Sequence, residues 1–436
     1  MKVALLGLAV IAAHAVSLLA AFQFDDYNVI VRDPAVHDWG ALAQELARGL
    51  RPVLKASYTL SWTLGDGGPA AFAAFNVLVH ALNTVLLYFI GLRLAARWKP
   101  GAEAAVLFAA LLFALHPVQT EAVTYASGRS TSLAAAFYLG ALLVYLRHGP
   151  LWASLFLFVL ACGTKETALV LPAALLLCDR GFVRRQAPFW VLALAFLVAA
   201  LLHERYARFF EFAFSQRSVA ENLLTQVQGI GYLVSRLFLP HRLNIDPALP
   251  PLFGWDAALA FQGAALAALL LLGVLSFRRR PWIAFGVLWF FVHLAPTNSL
   301  VPRVDVANER QLYLAWWGLA FALSVQCSSF PWRRTAAAAM LAVLGVLSVM
   351  RQIDYRSESA LWEASVREAP WNPRAHNNLG YARMQAGDVE GAIRAYREAL
   401  AFDPRDGTAR YNLEEALSAR ARTAPADSAR RPPGGG

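Results

Sequence analysis

The hydrophobic residues of this chain fall into long runs that are separated by short polar connections and stop near residue 350. The apolar runs cover residues 3–22, 70–95, 103–124, 130–147, 151–162, 164–178, 188–203, 256–277, 281–297, 311–327 and 335–350. A helix needs about 20 mostly apolar residues to cross a bilayer, so the pattern predicts about eleven transmembrane helices. Another run, at 221–239, is interrupted by two glutamines, a serine and an arginine. We expect it to lie along the outer membrane surface or to dip into it.

From about residue 351 the pattern becomes that of soluble helices and repeats at a fixed distance. Residues of the same type recur 34 positions apart at Pro370/Pro404, Ala375/Ala409, Asn378/Asn412 and Leu379/Leu413. This period is typical of the tetratricopeptide repeat (TPR), a pair of helices joined by a turn. It predicts one complete repeat at about 374–407 with a half repeat on each side. About three repeats are usually needed for an independent array, so this one is predicted to depend on the membrane domain or a partner.

These patterns divide the chain into three parts. Residues 1–350 are predicted to form a transmembrane domain, and residues 351–420 a short TPR-like helical domain. Residues 421–436 are rich in Arg, Pro and Gly, a composition that predicts a disordered tail. The fold class is therefore all-α: a polytopic membrane helix bundle followed by an outward-facing helical hairpin domain.

Composition and charge support a membrane protein and argue against nucleic-acid binding. The 436 residues are 58% hydrophobic and 16% charged, with a net charge of +10. With eleven spans and a cytoplasmic N-terminus, the inner side holds Lys2, Arg93, Arg97, Lys99, Arg147, Arg180, Arg184, Arg185, Arg278, Arg279, Arg280, Arg333 and Arg334, against only Glu103 and Asp179. Basic residues favour the cytoplasmic side, so the excess reflects topology. The TPR part is then outside, which in a bacterial inner (plasma) membrane is the periplasm.

Four polar clusters share the outer side in this topology. They are Asp25-Asp26 with Arg51, His116 to Glu121 with Arg129, Lys165-Glu166, and Arg303 to Arg310. Ionisable groups at a membrane boundary are costly and are functional candidates, although the Asp pair alone could simply mark where the first helix leaves the membrane. Four clusters on one face indicate a site that binds an anion and performs acid/base chemistry.

Glycosyl transfer from a polyprenyl-linked donor fits these residue types. The lipid tail of such a donor needs access to the membrane, and its phosphate needs cations. The acceptor hydroxyl needs a base, which a carboxylate can supply. Asp25 and Asp26 could instead hold a divalent cation through oxygen ligands, but neighbouring residues rarely provide a full ligand shell. We therefore favour a base, keep a divalent cation as the only possible cofactor, and leave open which Asp is the base.

Several motifs together resemble a known family. They are Phe24-Asp25-Asp26, Arg51-Pro52, Asn76 to His80, the block from His116 to Arg129, Lys165-Glu166-Thr167 to Asp179, and Glu309 to Leu314. Their order is similar to that in the transmembrane and TPR-containing O-mannosyltransferases, relatives of the protein O-mannosyltransferases with the C-type glycosyltransferase (GT-C) fold. The resemblance implies a GT-C-like bundle of about eleven spans, a polyprenyl-phosphate donor of a mannose-like hexose, and protein Ser/Thr acceptors.

The predicted site follows from these clusters and the resemblance. The predicted catalytic residues are Asp25 and Asp26, the predicted phosphate-binding residues are Arg129, Lys165, Arg303 and Arg310, and the predicted supporting residues are Arg51, His80, His116, Glu121, Glu166 and Glu309. The predicted partners are the sugar donor, a protein or glycan acceptor, membrane lipid, and a protein at the TPR part. His14 and His293 lie in apolar runs and are predicted to be packed histidines. For Arg205, Arg208 and Arg217, a solvated face and a phosphate site both stay open.

Two other functions compete with glycosyl transfer. One is a non-catalytic membrane scaffold whose TPR hairpin binds a partner protein. The other is a transporter of lipid-linked or anionic substrates, for which internal repeats and broken helices with polar residues near the middle of the membrane are typical. The polar clusters lie at one interface instead, and a scaffold would need neither the Asp pair nor the basic residues, so an enzyme is the favoured function.

Overall fold

The structure, a computed structural model, describes residues 1–45, 49–179, 183–329 and 334–423. Those residues form helices joined by short connections and contain no β-strand. The predicted all-α class is therefore confirmed. Of the tail predicted at 421–436, the first three residues are helical and the prediction is wrong for them, while residues from 424 onward lie outside the described residues.

Seventeen α-helices precede residue 356 within these ranges. They are α1 (Lys2–His14), α2 (Pro34–His37), α3 (Trp39–Glu45), α4 (Pro52–Leu64), α5 (Pro69–Trp98), α6 (Glu103–Leu115), α7 (Thr120–Val123), α8 (Arg129–Leu146), α9 (Leu151–Cys162), α10 (Leu171–Cys178), α11 (Val183–Leu202), α12 (Glu204–Gln216), α13 (Val219–Phe238), α14 (Ala257–Ser276), α15 (Pro281–Leu294), α16 (Leu312–Gln326) and α17 (Arg334–Ile353). The long helix α5 packs against α1, α6 and α8.

Several of these helices are long and apolar enough to cross a membrane. The described stretches that qualify are Lys2–Leu19, Pro69–Trp98, Ala126–Leu146, Arg184–Leu202, Ala257–Ser276 and Thr335–Arg356, and the pair Glu103–Leu115 and Pro117–Val123 makes a seventh if it counts as one span. These helices indicate a multi-pass membrane protein. Each of the eleven predicted runs contains a helix, but α9, α10, α15 and α16 have at most 15 residues, or about 23 Å at 1.5 Å per residue. The count of eleven therefore stays a prediction.

A bend of 53° separates α6 from the short helix that follows it. The break falls at His116-Pro117, where His116 has an extended backbone (ψ 127°). A residue before proline is disfavoured in the helical conformation, so the sequence itself explains why the run at 103–124 is not one straight helix. The bend brings residues 117–128 back as a series of short turns.

Close packing of α15 against α16 depends on two glycines. A Cβ atom at Gly286 would lie 2.3 Å from the Gly318 carbonyl oxygen, and one at Gly318 would lie 2.6 Å from Trp289 Cδ1. Small residues let helix backbones approach closely in membrane bundles. The contact matters for the site because both helices carry residues that line the cavity described below.

Residues 357–423 of the described chain, with Asp246–Ala248, form a second compact unit. Its helices are α18 (Glu358–Glu368), α19 (Pro373–Gln385), α20 (Val389–Phe402) and α21 (Gly407–Thr423). Helices α19 and α20 pack together, with Gly387 (φ +82°) in the turn between them. Gly380 faces the Tyr396 ring, which a Cβ atom there would approach to 2.5 Å. This is the helical hairpin that the 34-residue period predicts.

Candidate active site

A cavity of about 810 Å³ collects side chains from distant parts of the first unit. Its charged lining residues are Asp25, Asp33, Arg51, Lys55, Lys165, Glu166, Arg205, Arg303 and Arg310. Six of these nine residues are basic, so the cavity carries an excess of positive charge that suits an anionic ligand. Six of the twelve predicted site residues line it: Asp25, Arg51, Lys165, Glu166, Arg303 and Arg310.

The two neighbouring aspartates have different surroundings. Asp25 lines the cavity, and its backbone N–H donates to the Tyr125 hydroxyl at 2.9 Å. Asp26 is fully buried, and its carboxylate accepts N–H groups from Gln23 at 3.0 Å and from Ser127 at 2.8 Å. Burial raises the pKa of Asp26 to about 7, although these hydrogen bonds act in the opposite direction. Only Asp25 is placed to meet a ligand in the cavity.

Glu121 fixes Arg310 at the edge of the cavity. Its Oε2 accepts the backbone N–H of Arg310 at 2.9 Å, and its Oε1 lies 3.4 Å from Arg310 Nε. The Glu121 side chain is 1% exposed and that of Arg310 19% exposed, so the carboxylate is the buried partner. Burial lowers the pKa of Arg310, but the surrounding groups, of which Glu121 contributes most, together outweigh burial and the pKa is raised. The arginine therefore stays charged and oriented.

Lys165 and Arg303 are cations of the cavity that have no carboxylate within 4 Å among the described residues. Lys165 Nζ donates to Thr131 Oγ1 at 2.7 Å. Burial and the nearby charge of Arg310 lower the pKa of Arg303, and Asp305 offsets this in part. A partly buried cation is costly unless it meets an anion. These two residues are thus the cations best suited to a ligand phosphate.

Arg51 and Glu166 neutralise each other at the cavity wall. Arg51 donates from Nε to Glu166 Oε1 at 2.9 Å and from Nη2 to Glu166 Oε2 at 2.7 Å. Tyr206, on α12, donates its hydroxyl to the same Oε1. Burial lowers the pKa of Arg51, but the hydrogen bonds and charge of Glu166 outweigh it and the pKa is raised. This bidentate pair is a strong geometry, so Arg51 and Glu166 have a supporting position.

Arg129, predicted to bind phosphate, lies outside the cavity lining. It is fully buried, and each guanidinium nitrogen has a protein acceptor. Nε donates to Asn76 Oδ1 at 2.7 Å, Nη1 to the Ser57 carbonyl at 2.6 Å, and Nη2 to the Phe72 carbonyl at 3.1 Å. These bonds connect the start of α8 to α4 and α5. Arg129 therefore supports the walls of the site and is not placed to contact a ligand.

His80 and His116 are buried supports and also lie outside the lining. His80 Nε2 lies 3.3 Å from the Ala114 carbonyl and Nδ1 lies 2.8 Å from the Tyr313 hydroxyl. Because a carbonyl only accepts, Nε2 carries the proton and Nδ1 accepts from the tyrosine. His116 bridges its own turn and the Leu237 carbonyl in the same manner. Neither ring is placed to transfer a proton to a ligand in the cavity.

Glu309 is the remaining supporting residue and is 1% exposed. Its Oε1 accepts the Asn244 N–H at 2.5 Å, and its Oε2 lies 3.9 Å from Arg351 Nη2. Burial raises the pKa of Glu309 to about 8, while the charge of Arg351 acts in the opposite direction. It too lies behind the cavity wall.

Helix α12 contributes four cavity residues, of which only Arg205 is a candidate from the sequence. They are Arg205, Tyr206, Phe209 and Phe210. The three arginines left open divide: Arg205 lines the cavity, Arg208 pairs with Glu204 at 3.3 Å, and Arg217 donates to the Arg303 carbonyl. The interleaved arginines and phenylalanines of 204–216 were the available signal.

The two histidines predicted to be packed also differ. His14 is fully buried against His80, with ring centroids 5.0 Å apart, as the apolar run predicts. The His293 ring packs on the Trp289 ring with their centroids 4.1 Å apart, but His293 also lines the cavity.

No group of three or more His, Cys, Asp or Glu is arranged for a metal ion in the parts of the chain that the structure describes. Both Asp26 carboxylate oxygens accept backbone N–H groups, so the adjacent pair does not present four free oxygens.

Comparison with known proteins gives a consistent set of relatives. A tetratricopeptide repeat model matches residues 373–406, which confirms the predicted repeat at about 374–407. A protein O-mannosyl-transferase of Caenorhabditis elegans is 24% identical over 88% of this chain and 60% of its own length. The protein O-mannosyl-transferase TMTC4 of Homo sapiens is 26% identical over 86% of this chain and 63% of its own.

A protein O-mannosyl-transferase of Drosophila melanogaster is 33% identical, but over only 37% of this chain and 20% of its own length. The chain thus covers less than two thirds of the length of each of these curated relatives. No solved structure matches it. The resemblance predicted from the motifs is nevertheless confirmed: the chain is similar to the protein O-mannosyl-transferases over most of its length and carries a tetratricopeptide repeat.

Proposed function

We propose that this protein is an integral-membrane glycosyltransferase that moves a mannose-like hexose from a polyprenyl-phosphate donor to a hydroxyl acceptor, most simply a protein Ser or Thr. The observation that carries the proposal is one cavity that holds the Asp25 carboxylate together with Lys165, Arg303 and Arg310. The names of the relatives support the class of reaction and the protein acceptor. The donor and the periplasmic side rest on the residues and their predicted topology.

Asp25 is the proposed general base. It takes the proton of the acceptor hydroxyl while that oxygen attacks the anomeric carbon of the sugar. The bond between that carbon and the phosphate oxygen breaks, and the electron pair leaves with the polyprenyl phosphate. A carboxylate positioned in this manner contributes roughly 10²–10⁴-fold to such reactions.

Lys165, Arg303 and Arg310 are the proposed phosphate ligands. The donor phosphodiester has one negative charge, and the departing phosphate gains a second as the bond breaks. Cations already fixed in the cavity therefore stabilise the transition state more than the bound donor, which is the condition for catalysis. Lys165 and Arg303 suit the role because no carboxylate within 4 Å competes for them among the described residues.

Transfer is tested with the purified full chain in lipid nanodiscs, a radiolabelled mannosyl-phosphoryl-polyprenyl donor and a Ser/Thr-rich peptide. We expect label in the peptide with the wild-type protein and almost none with Asp25→Asn. Asp66→Asn is the matched control, because Asp66 is exposed in the same outer loop, outside the cavity, and its φ of +47° is one that Asn tolerates. Equal labelling by wild type and Asp25→Asn would refute the proposed base.

The scaffold function is the second candidate because the TPR match is independent of the cavity. It predicts no transfer by any form of the chain, with binding of a partner by residues from 357 onward.

A further inference from the structure

One short stretch of chain contacts both the proposed base and the proposed phosphate-binding arginine. Residues 121–129, here called the 121–129 segment, comprise the last three residues of α7, the connection that follows and the first residue of α8. At its beginning, Glu121 accepts the N–H of Arg310 and lies 3.4 Å from its Nε. In its middle, the Tyr125 hydroxyl accepts the N–H of Asp25 at 2.9 Å. Near its end, the Ser127 N–H donates to Asp26 at 2.8 Å.

The segment folds back on itself, so its two ends are fixed relative to each other. A Cβ atom at Gly128 would lie 3.1 Å from Ala122 Cα and only 2.2 Å from the Glu121 carbonyl oxygen, a distance too short for any side chain. Glycine at this position therefore allows the backbone of residue 128 to touch that of residue 121. The loop is short and buried throughout.

The rest of the bundle anchors this loop through Asn76. Its Nδ2 donates to the Tyr125 carbonyl at 3.3 Å, and its Oδ1 accepts from Arg129 Nε at 2.7 Å. Arg129 in turn donates to carbonyl groups of α4 and of the first turn of α5. The segment is thus held from two helices, α4 and α5, while its own polar groups contact the two loops that carry Asp25 and Arg310.

We propose that the 121–129 segment sets the distance between the base and the phosphate-binding cation, with Tyr125 as the positioning residue of Asp25 and Glu121 as that of Arg310. This inference rests on the proposed function. Transfer requires the acceptor oxygen, the anomeric carbon and the leaving phosphate to be aligned, and a displacement of about 1 Å can cost on the order of 100-fold in rate. Asp25 and Arg310 lie near opposite ends of the unit's sequence, and the 121–129 segment contacts the backbone of both residues.

The test separates the two supports by their kinetic signatures. Tyr125→Phe removes the hydroxyl that accepts the Asp25 N–H and keeps the ring, which is 2% exposed. We expect kcat to fall roughly tenfold, the loss typical of one hydrogen bond to a reacting loop, with an unchanged donor KM. Glu121→Gln keeps an acceptor for the Arg310 N–H but removes the charge opposite Nε. We expect its donor KM to rise.

Tyr145→Phe is the matched control for the tyrosine. Tyr145 lies on α8, is 2% exposed and is outside the cavity lining. It should have wild-type kcat and donor KM. Thermal unfolding of each variant in detergent shows whether a change in rate follows from a change in stability.

The outcomes are distinguishable from failure of the proposed function itself. If the wild-type chain transfers no sugar, the proposed function fails. If the wild type is active and Asp25→Asn is not, but Tyr125→Phe has wild-type kcat, the positioning role alone is wrong. A fall in kcat for both variants with the same donor KM and a lower unfolding temperature would also overturn it, because that pattern indicates a merely structural segment. A lower kcat with unchanged donor KM for Tyr125→Phe, together with a higher donor KM for Glu121→Gln, supports it when both variants are folded.

Discussion

Asp25 and Asp26 are neighbours in the chain, but they differ in burial and therefore in the role each can have. A buried carboxylate that accepts two backbone N–H groups holds a loop in place, whereas a carboxylate on a cavity wall can meet a substrate. Asp25→Asn is nearly isosteric and cannot accept a proton at neutral pH, so we expect turnover to fall by roughly 10²–10⁴-fold. Asp26→Asn replaces one of the two carboxylate oxygens that accept backbone N–H groups, and we expect turnover to fall about tenfold. Kinetics on equal amounts of folded protein check both; an active Asp25→Asn with an inactive Asp26→Asn would exchange the roles.

Arg310 differs from the other cations because its support is a buried carboxylate. Arg310→Ala should lose most of its activity and raise the donor KM, while Arg310→Lys should keep part of the activity because it retains charge but not the planar fork of donors. Arg208→Ala is the control, since Arg208 is exposed, pairs with Glu204 and lies outside the cavity lining. If donor KM and kcat of Arg310→Ala equal those of the wild type, Arg310 does not bind the phosphate.

Glu309 makes stability depend on pH. Burial raises its pKa from an ordinary value near 4.5 to about 8, so the folded protein retains a proton that the unfolded chain releases. The resulting stabilisation is complete below about pH 4.5 and is lost as the pH rises through about 8. Asp26 shifts in the same direction but only to about 7. Between about pH 7.5 and 9 the unfolding temperature of the wild type should therefore fall more steeply than that of Glu309→Gln. Equal slopes would show that Glu309 is already ionised at pH 7.5.

Among the helices, the contact of α15 with α16 has the least room for change. Gly286→Ala would place a methyl group 2.3 Å from the Gly318 carbonyl and 2.5 Å from the Ala322 side chain. The helices must separate to accept it, and overpacking of this kind costs about 1–3 kcal/mol. We expect a lower unfolding temperature and, because His293 and Tyr313 line the cavity from these helices, reduced transfer. Gly345→Ala on α17 is the control, as its nearest atom would be 3.9 Å away.

An unfolding temperature for Gly286→Ala that matches the control would mean that the two helices are not tightly packed at this crossing.

The sequence was most informative about elements whose pattern is local. Apolar runs placed a helix in every predicted span, and the 34-residue period located the TPR hairpin within one residue at each end. The number of transmembrane spans does not follow from the apolar runs, because a short helix such as α9 can cross a locally thin bilayer or enter it only in part. The sequence predicts Arg129 as a phosphate ligand because it does not show that other helices supply acceptors for the guanidinium. Two of these acceptors are the Ser57 and Phe72 carbonyls. The position of Tyr206 depends on how α12 meets the cavity, which no motif encodes.

For the whole molecule, the main untested prediction is sidedness. The charge pattern predicts that the N-terminus is in the cytoplasm and that residues from 351 onward are outside, because basic residues are retained on the inner side. An alkaline phosphatase fusion after residue 423 should be active and a green fluorescent protein fusion at the same place dark. A fusion at Gly101, between α5 and α6, should give the opposite result and serves as the internal control. A bright C-terminal green fluorescent protein fusion and an inactive C-terminal phosphatase fusion would invert the proposed orientation of the cavity.

The pair of Glu121 and Arg310 has a consequence for synthesis of the chain, because its members are 189 residues apart. While the ribosome makes the spans between them, Glu121 is an acid without its cation, and insertion of such a group into a dry bundle is costly. The first spans should therefore stay loosely packed and hydrated around the 121–129 segment until Arg310 leaves the ribosome. Nascent chains stalled before residue 300 should be sensitive to protease and to thiol labelling at Thr120→Cys, and chains stalled beyond residue 360 protected. Maturation of the site would then be a late event that coincides with closure of the bundle.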